Sequence, residues 1–118
     1  MKSSVDNDCM RLVQQIVVER DKECVRCHIK PADCGHHIFT GSRPATRYRP
    51  DAVMGVCAEC HNWLEEHPAM AREFAISFIG YENYHILERI SLVTCRFRPA
   101  DFREIRQGLR MMIGRGDG

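Results

Sequence analysis

Two cysteine pairs of identical spacing constrain this chain more than any other feature. "CVRC" supplies Cys24 and Cys27, and "CAEC" supplies Cys57 and Cys60. A Cys-x-x-Cys knuckle can present two thiolates to one ion, and two knuckles complete a tetrahedral, all-thiolate site with no open position. That makes the site structural. A redox Cys-x-x-Cys explains one pair and leaves the other idle, and an iron–sulfur centre stays open as an occupant, although zinc is commoner for this pattern. A structural zinc can contribute about 10 kcal/mol or more to folding. The region needs such support, because Pro31, Gly35, Gly41, Pro44, Pro50 and Gly55 punctuate it closely.

Around this core the periodicity predicts helices. Cys9, Leu12, Val13, Ile16 and Val17 recur at helical spacing, predicting a packing helix over 5–20 with Ser3, Ser4 or Asp6 as its cap. "CGHHIF" and "AVMGVC" are the strand candidates, forming a two-stranded hairpin whose arginine-rich connection, "TGSRPATRYRPD", loops out. "AECHNWLEE" reads as a short helix stopped by His67-Pro68. Three more helices follow over 68–113, closing with Phe102, Ile105, Leu109, Met112 and Ile113 on one stripe; residues 114–118 read as a frayed tail. Trp63, Phe74, Phe78, Tyr81 and Tyr84 are expected in the core, and Cys9, Cys34 and Cys95 as buried thiols. The expectation is one α+β domain spanning 1–118: a zinc-braced hairpin plus helix over 21–67, surrounded by helices.

Twenty-nine residues separate Cys27 from Cys57, more than a simple ribbon needs, and they contain adjacent histidines, His36 and His37. His61 follows the last cysteine directly, and Glu65 lies one turn later on the same helix face. His36, His61 and Glu65 therefore form a candidate incomplete metal site, with positions left for water and a phosphate oxygen. Neighbours on a strand point to opposite faces, so two roles suit the histidines better than one. One binds the ion, and the other, near its free pKa of about 6.5, accepts a proton from water. Asn62 is a fallback ligand and His67 a weaker one, while Cys34 lies close enough to compete for metal. His28, His67 and His85 read as ordinary surface or capped histidines.

The pattern C-x-x-C … G-H-H-I … C-x-x-C-H resembles the HNH nucleases of the ββα-metal fold with an embedded zinc ribbon. It is most like the phage recombination nucleases of the NinG (Rap) type and more distantly like the endonuclease VII type. The resemblance covers Cys24 to Glu66. Farther on, the Gly80-Tyr81 turn and the "RPADFREI" helix start are also similar to NinG-type chains. The resemblance implies that His37, before Ile38, is the general base. It puts His36 and His61 at metal positions and Glu65 at a later, more variable one. It implies hydrolysis of a DNA phosphodiester with Mg²⁺ or Mn²⁺, leaving 5′-phosphate and 3′-hydroxyl ends. Branched or distorted DNA is the implied substrate, and a homodimer the implied assembly for cutting two strands. The chain departs from the pattern at Ala52, where such nucleases usually carry an asparagine that ties the connecting loop together; Asp51 and Asn62 are candidates to replace it.

Net charge is only +1, so bulk electrostatics do not call for a polyanion. The distribution says more. Only Lys2, Lys22 and Lys30 are lysines among 17 basic residues, and Arg43, Arg47 and Arg49 stand in a stretch without acids. Guanidinium grips phosphate in a fork, so these three are the candidate DNA contacts. No apolar run reaches the ~20 residues of a membrane span and no signal-peptide pattern opens the chain, so a cytoplasmic protein is expected. A second reading is a non-catalytic zinc ribbon, its HNH site decayed, that binds nucleic acid or a protein.

Overall fold

A computed structural model describes residues 4–115. In chain order these are α1 (Ser4–Asp21), β1 (Cys34–His37), α2 (Pro44–Arg47), a 3-10 turn (Pro50–Ala52), β2 (Val53–Val56), α3 (Ala58–Glu66), α4 (Pro68–Ile79), α5 (Tyr81–Ser91) and α6 (Pro99–Arg115). The architecture is α+β: helices around one two-stranded antiparallel sheet. No helix among the described residues is long and apolar enough to cross a membrane.

The hairpin register pairs Cys34 with Val56, Gly35 with Gly55, His36 with Met54 and His37 with Val53. Opposed residues share a face, so Gly35, His37, Val53 and Gly55 form one side. α1 lies across that side, burying Cys9, Val13 and Val17 with Val53 and with Leu109 of α6. The two facing glycines allow the close approach. A methyl group built on Gly55 would sit 2.9 Å from Cβ of Asp21 and 3.2 Å from the Val17 carbonyl oxygen. The same contact supplies polar partners: the Gly35 amide donates to Gln14 Oε1 at 2.6 Å, and the Gly55 amide to Asp21 Oδ2 at 2.7 Å. The other side, with Met54 and Val56, packs on Phe39, Leu64, Tyr84 and Leu87. Gly80, at φ +93°, makes the turn from α4 to α5.

Several expectations change. The arginine-rich connection does not loop out. Prolines at the first positions of α2 and of the 3-10 turn fold it back, and Thr46 and Ala52 are both buried at 1% exposure. Ala52 holds the loop through its backbone: its amide donates to the Arg49 carbonyl at 3.0 Å, and its own carbonyl accepts from Ile38 N–H at 2.9 Å. Asp6 lies in the first turn of α1 and is a buried partner of Arg47 and Tyr48. Ser3 lies outside the described residues. α6 continues through Arg115, past the expected start of the tail, whose residues 116–118 lie outside the described range. Tyr84 is buried and Trp63 and Phe74 pack partly, whereas Phe78 and Tyr81 are exposed. Of the three thiols outside the knuckles only Cys9 is fully buried, with Cys34 and Cys95 half-buried.

Candidate functional site

Cys24 and Cys27 sit on the turn after α1, and Cys57 and Cys60 at the start of α3. Their four sulfurs lie within 4.8 Å of one another, and Cys27 Sγ is 4.0 Å from Cys57 Sγ. A tetrahedral zinc with bonds of about 2.3 Å separates its sulfurs by about 3.8 Å, so this donor set fits such an ion. The knuckle backbone favours thiolates. His28 adopts a left-handed conformation at φ 57°, and the Ile29 and Lys30 amides that follow hold the Cys27 thiol down at about 6. Burial works against ionisation of Cys24, but the amides of Cys27, Cys57 and Arg26 outweigh it and lower that thiol too. Burial pushes Cys60 up to about 12, opposed first by Arg26. Arg26 Nη1 donates to Cys60 Sγ at 3.3 Å, while its guanidinium rests 3.7 Å above the Trp63 ring centre. The cysteine spacing gives no hint of this contact.

A second group of donors lies on the Met54 side of the hairpin. His36, His61 and Glu65 bring ligand atoms within 4.8 Å of one another. Glu65 Oε1 is 3.9 Å from His36 Nδ1 and 3.7 Å from His61 Nε2, and the two imidazoles meet edge to face at 5.3 Å. His36 Nδ1 is fully buried and has no hydrogen-bond partner among the described residues. A buried, unpartnered ring nitrogen is costly unless something binds it. Burial also holds His36 below its ordinary pKa of 6.5, reinforced by His61 and opposed by Glu65, which keeps the imidazole neutral as a ligand must be. Divalent ions with bonds of about 2.1 Å hold adjacent donors about 3.0–3.4 Å apart, a little closer than Glu65 stands to either histidine here. Asn62 is exposed. His67 stacks on Trp63 and bonds the Trp63 carbonyl oxygen at 2.8 Å, outside the group.

His37 occupies the opposite face of β1 but, as the last strand residue, still reaches the same cleft. That cleft has a volume of about 310 Å³ and is lined by His36, His37, Thr40, His61, Glu65 and Arg72 among others. His37 Nε2 lies 3.1 Å from the Arg47 carbonyl oxygen. A carbonyl only accepts, so Nε2 carries the proton and Nδ1 keeps its lone pair. Nδ1 accepts no hydrogen bond among the described residues and lies beside Gly41 in the cleft wall. Burial lowers the His37 pKa from 6.5, the Arg47 carbonyl opposes, and the Arg47 guanidinium adds to the lowering. In this neutral form Nδ1 is the ring nitrogen able to accept a proton.

The three arginines do not gather on the cleft. Arg47 is turned inward: its guanidinium forks onto Asp6 at 3.1 Å through both Nε and Nη2 and donates to the Gly41 carbonyl at 2.7 Å. Its hydrogen-bonding groups face the protein and not the cleft. Arg43 donates to the buried Ser91 hydroxyl at 2.8 Å, and Arg49 pairs with Asp51 at 2.8 Å. Arg72 of α4 is the basic residue that lines the cleft. Sequence reasoning missed it, since it is the one base within an acidic stretch running from Glu65 to Glu88. The signal was the His67-Pro68 break, which folds α4 back beside α3.

The chain matches no protein-family model, and no significant match is found among curated proteins or solved structures.

Proposed function

We propose that this protein is a metal-dependent DNA endonuclease of the HNH type, its hairpin and α3 forming a ββα-metal motif braced by a four-cysteine zinc. One observation carries the reading: a donor group able to hold a metal ion and an imidazole whose Nε2 meets a backbone carbonyl open onto one solvent-accessible cleft. His36, His61 and Glu65 would hold a divalent ion, leaving positions for water and a non-bridging phosphate oxygen. When bound, the ion neutralises charge on the phosphate and on the leaving 3′ oxygen. His37 Nδ1 takes the proton from the attacking water, and the Arg47 carbonyl holds the imidazole in place as its charge develops. Arg72 contributes a positive charge at the cleft wall for the DNA backbone. Two imidazoles and one carboxylate suit a transition ion better than Mg²⁺, so Mn²⁺ is the preferred activator.

Branched or distorted DNA as substrate, action in phage or prophage recombination, a homodimer and the cytoplasm of a bacterial or phage-infected cell rest on the HNH resemblance. The test is cleavage of supercoiled plasmid and of a four-way junction by zinc-loaded protein with Mn²⁺ or Mg²⁺, beside His37→Ala. Activity in the parent, faster with Mn²⁺, and nearly none in the variant is expected. Equal activity in both overturns the role of His37, and DNA binding without cleavage by the parent favours the non-catalytic zinc ribbon.

A further inference from the structure

The network behind His37 reaches back to the first turn of α1. Asp6 is only 6% exposed, a burial that a carboxylate tolerates only when paired and hydrogen-bonded. Its partners are the Arg47 guanidinium, held bidentately at 3.1 Å, and the Tyr48 hydroxyl, which donates to Oδ1. The Arg47 side chain is itself only 13% exposed, and its remaining Nη1 donates to the Gly41 carbonyl at 2.7 Å. One guanidinium thus joins three segments: α1 through Asp6, the cleft wall through Gly41, and its own backbone in α2. The carbonyl of that same residue accepts the proton of His37 Nε2.

We propose that Asp6 and Arg47 are a positioning pair that fixes the Arg47 carbonyl beneath His37 and so locks the imidazole with Nε2 protonated and Nδ1 free. Its bearing on catalysis rests on His37 being the general base, whereas the tautomer lock does not. α2 is only four residues long and, without an anchor, has few backbone bonds to hold its carbonyls in place. A bidentate buried pair supplies what the short helix lacks. Asp6 and Arg47 are 41 residues apart, so the lock also makes the site depend on the docking of α1. Neither residue faces the cleft. A tautomer error in a general base removes catalysis without removing the residue, which is why a distant pair can matter to rate.

The experiment is long-range ¹H–¹⁵N correlation of the His37 ring in full-length, zinc-loaded protein without added Mn²⁺, for the parent, Asp6→Asn, and the double variant Asp6→Asn/Arg47→Gln. The double variant leaves no unpaired buried charge, and retained zinc and a cooperative melt above the assay temperature identify variants that stay folded. The parent should show the Nε2–H form alone, and the folded variants a mixture of both tautomers. Mn²⁺-dependent cleavage should fall about tenfold in kcat with KM changed less than about twofold, because geometry at the base and not DNA binding is lost. Asp6→Glu should recover part of the loss. An Nδ1–H tautomer in the parent, or an unchanged tautomer in folded variants, overturns the proposal. Tautomer mixing in the variants with no cleavage by any form upholds the lock and removes the nuclease reading.

Discussion

Alanine at Gly55 should weaken the fold, and alanine at Gly108 should strengthen it. At Gly55 the added methyl meets Cβ and Oδ2 of Asp21 at 2.9 Å and the Val17 carbonyl at 3.2 Å. Relief requires α1 to retreat by several tenths of an ångström, loosening its packing on Val53 and the Asp21 bond to the Gly55 amide. Overpacking of this kind costs about 1–3 kcal/mol. Reduced freedom of the unfolded chain returns about 0.4–1 kcal/mol, so the net is a loss of about 1–2 kcal/mol. Over 118 residues, an unfolding entropy of about 2.1 cal/mol/K per residue makes each kcal/mol worth roughly 4 °C. The melt of zinc-saturated Gly55→Ala protein, followed by circular dichroism, should therefore drop by about 4–8 °C. At Gly108 a methyl meets nothing within 4 Å among the described residues, and helix propensity alone should raise the midpoint by about 2–4 °C. Equal shifts in the two variants, or a neutral Gly55→Ala, would refute the close clamping of α1 on the hairpin.

Three further outcomes are expected. Arg26→Gln removes the donor to Cys60 and should weaken zinc binding roughly tenfold in competition with a chromophoric chelator; unchanged affinity would deny that contact a role. Arg72→Ala should reduce the slope of log affinity against log salt for duplex DNA by about one, whereas Arg47→Ala should lower the melting point and leave that slope alone. The reverse pattern would return Arg47 to the DNA surface. His36 and His37 both have folded pKa values below 6.5, so their neutral forms contribute stability that is complete above pH 6.5 and fades as pH falls below it. For the same reason the acid limb of cleavage should have its midpoint below pH 6.5, and a midpoint above 6.5 would contradict a desolvated base.

Much of this arrangement can be read in the sequence because its signals are local. Helical periodicity in Cys9, Val13 and Val17, the His67-Pro68 stop and the two knuckles each declare themselves within a few residues. The knuckles also carry a long-range constraint, since placing Cys24 and Cys57 on one ion brings His61 toward His36. What stays hidden depends on tertiary contact. Nothing in "SVDNDC" marks Asp6 as the partner of an arginine in another segment, and nothing in "RPATRYR" separates the inward Arg47 from a surface arginine. Ala52 looks like a defect when compared with HNH nucleases. In the folded chain its backbone bonds to Arg49 and Ile38, and the Asp6–Arg47 pair, tie this loop down. Phe78 and Tyr81 were expected inside because aromatic residues at helical spacing usually are, yet α4 and α5 turn them outward.

The proposed division of labour between the adjacent histidines is tested most directly by titrating Mn²⁺ into zinc-loaded protein, followed by electron paramagnetic resonance. The parent should bind Mn²⁺ at one site per chain in addition to its zinc. His61→Ala should lose that site, and His37→Ala should keep it while losing cleavage. Undiminished Mn²⁺ binding in His61→Ala, or its loss in His37→Ala, would contradict the assignment of His36, His61 and Glu65 to the ion and His37 to the water.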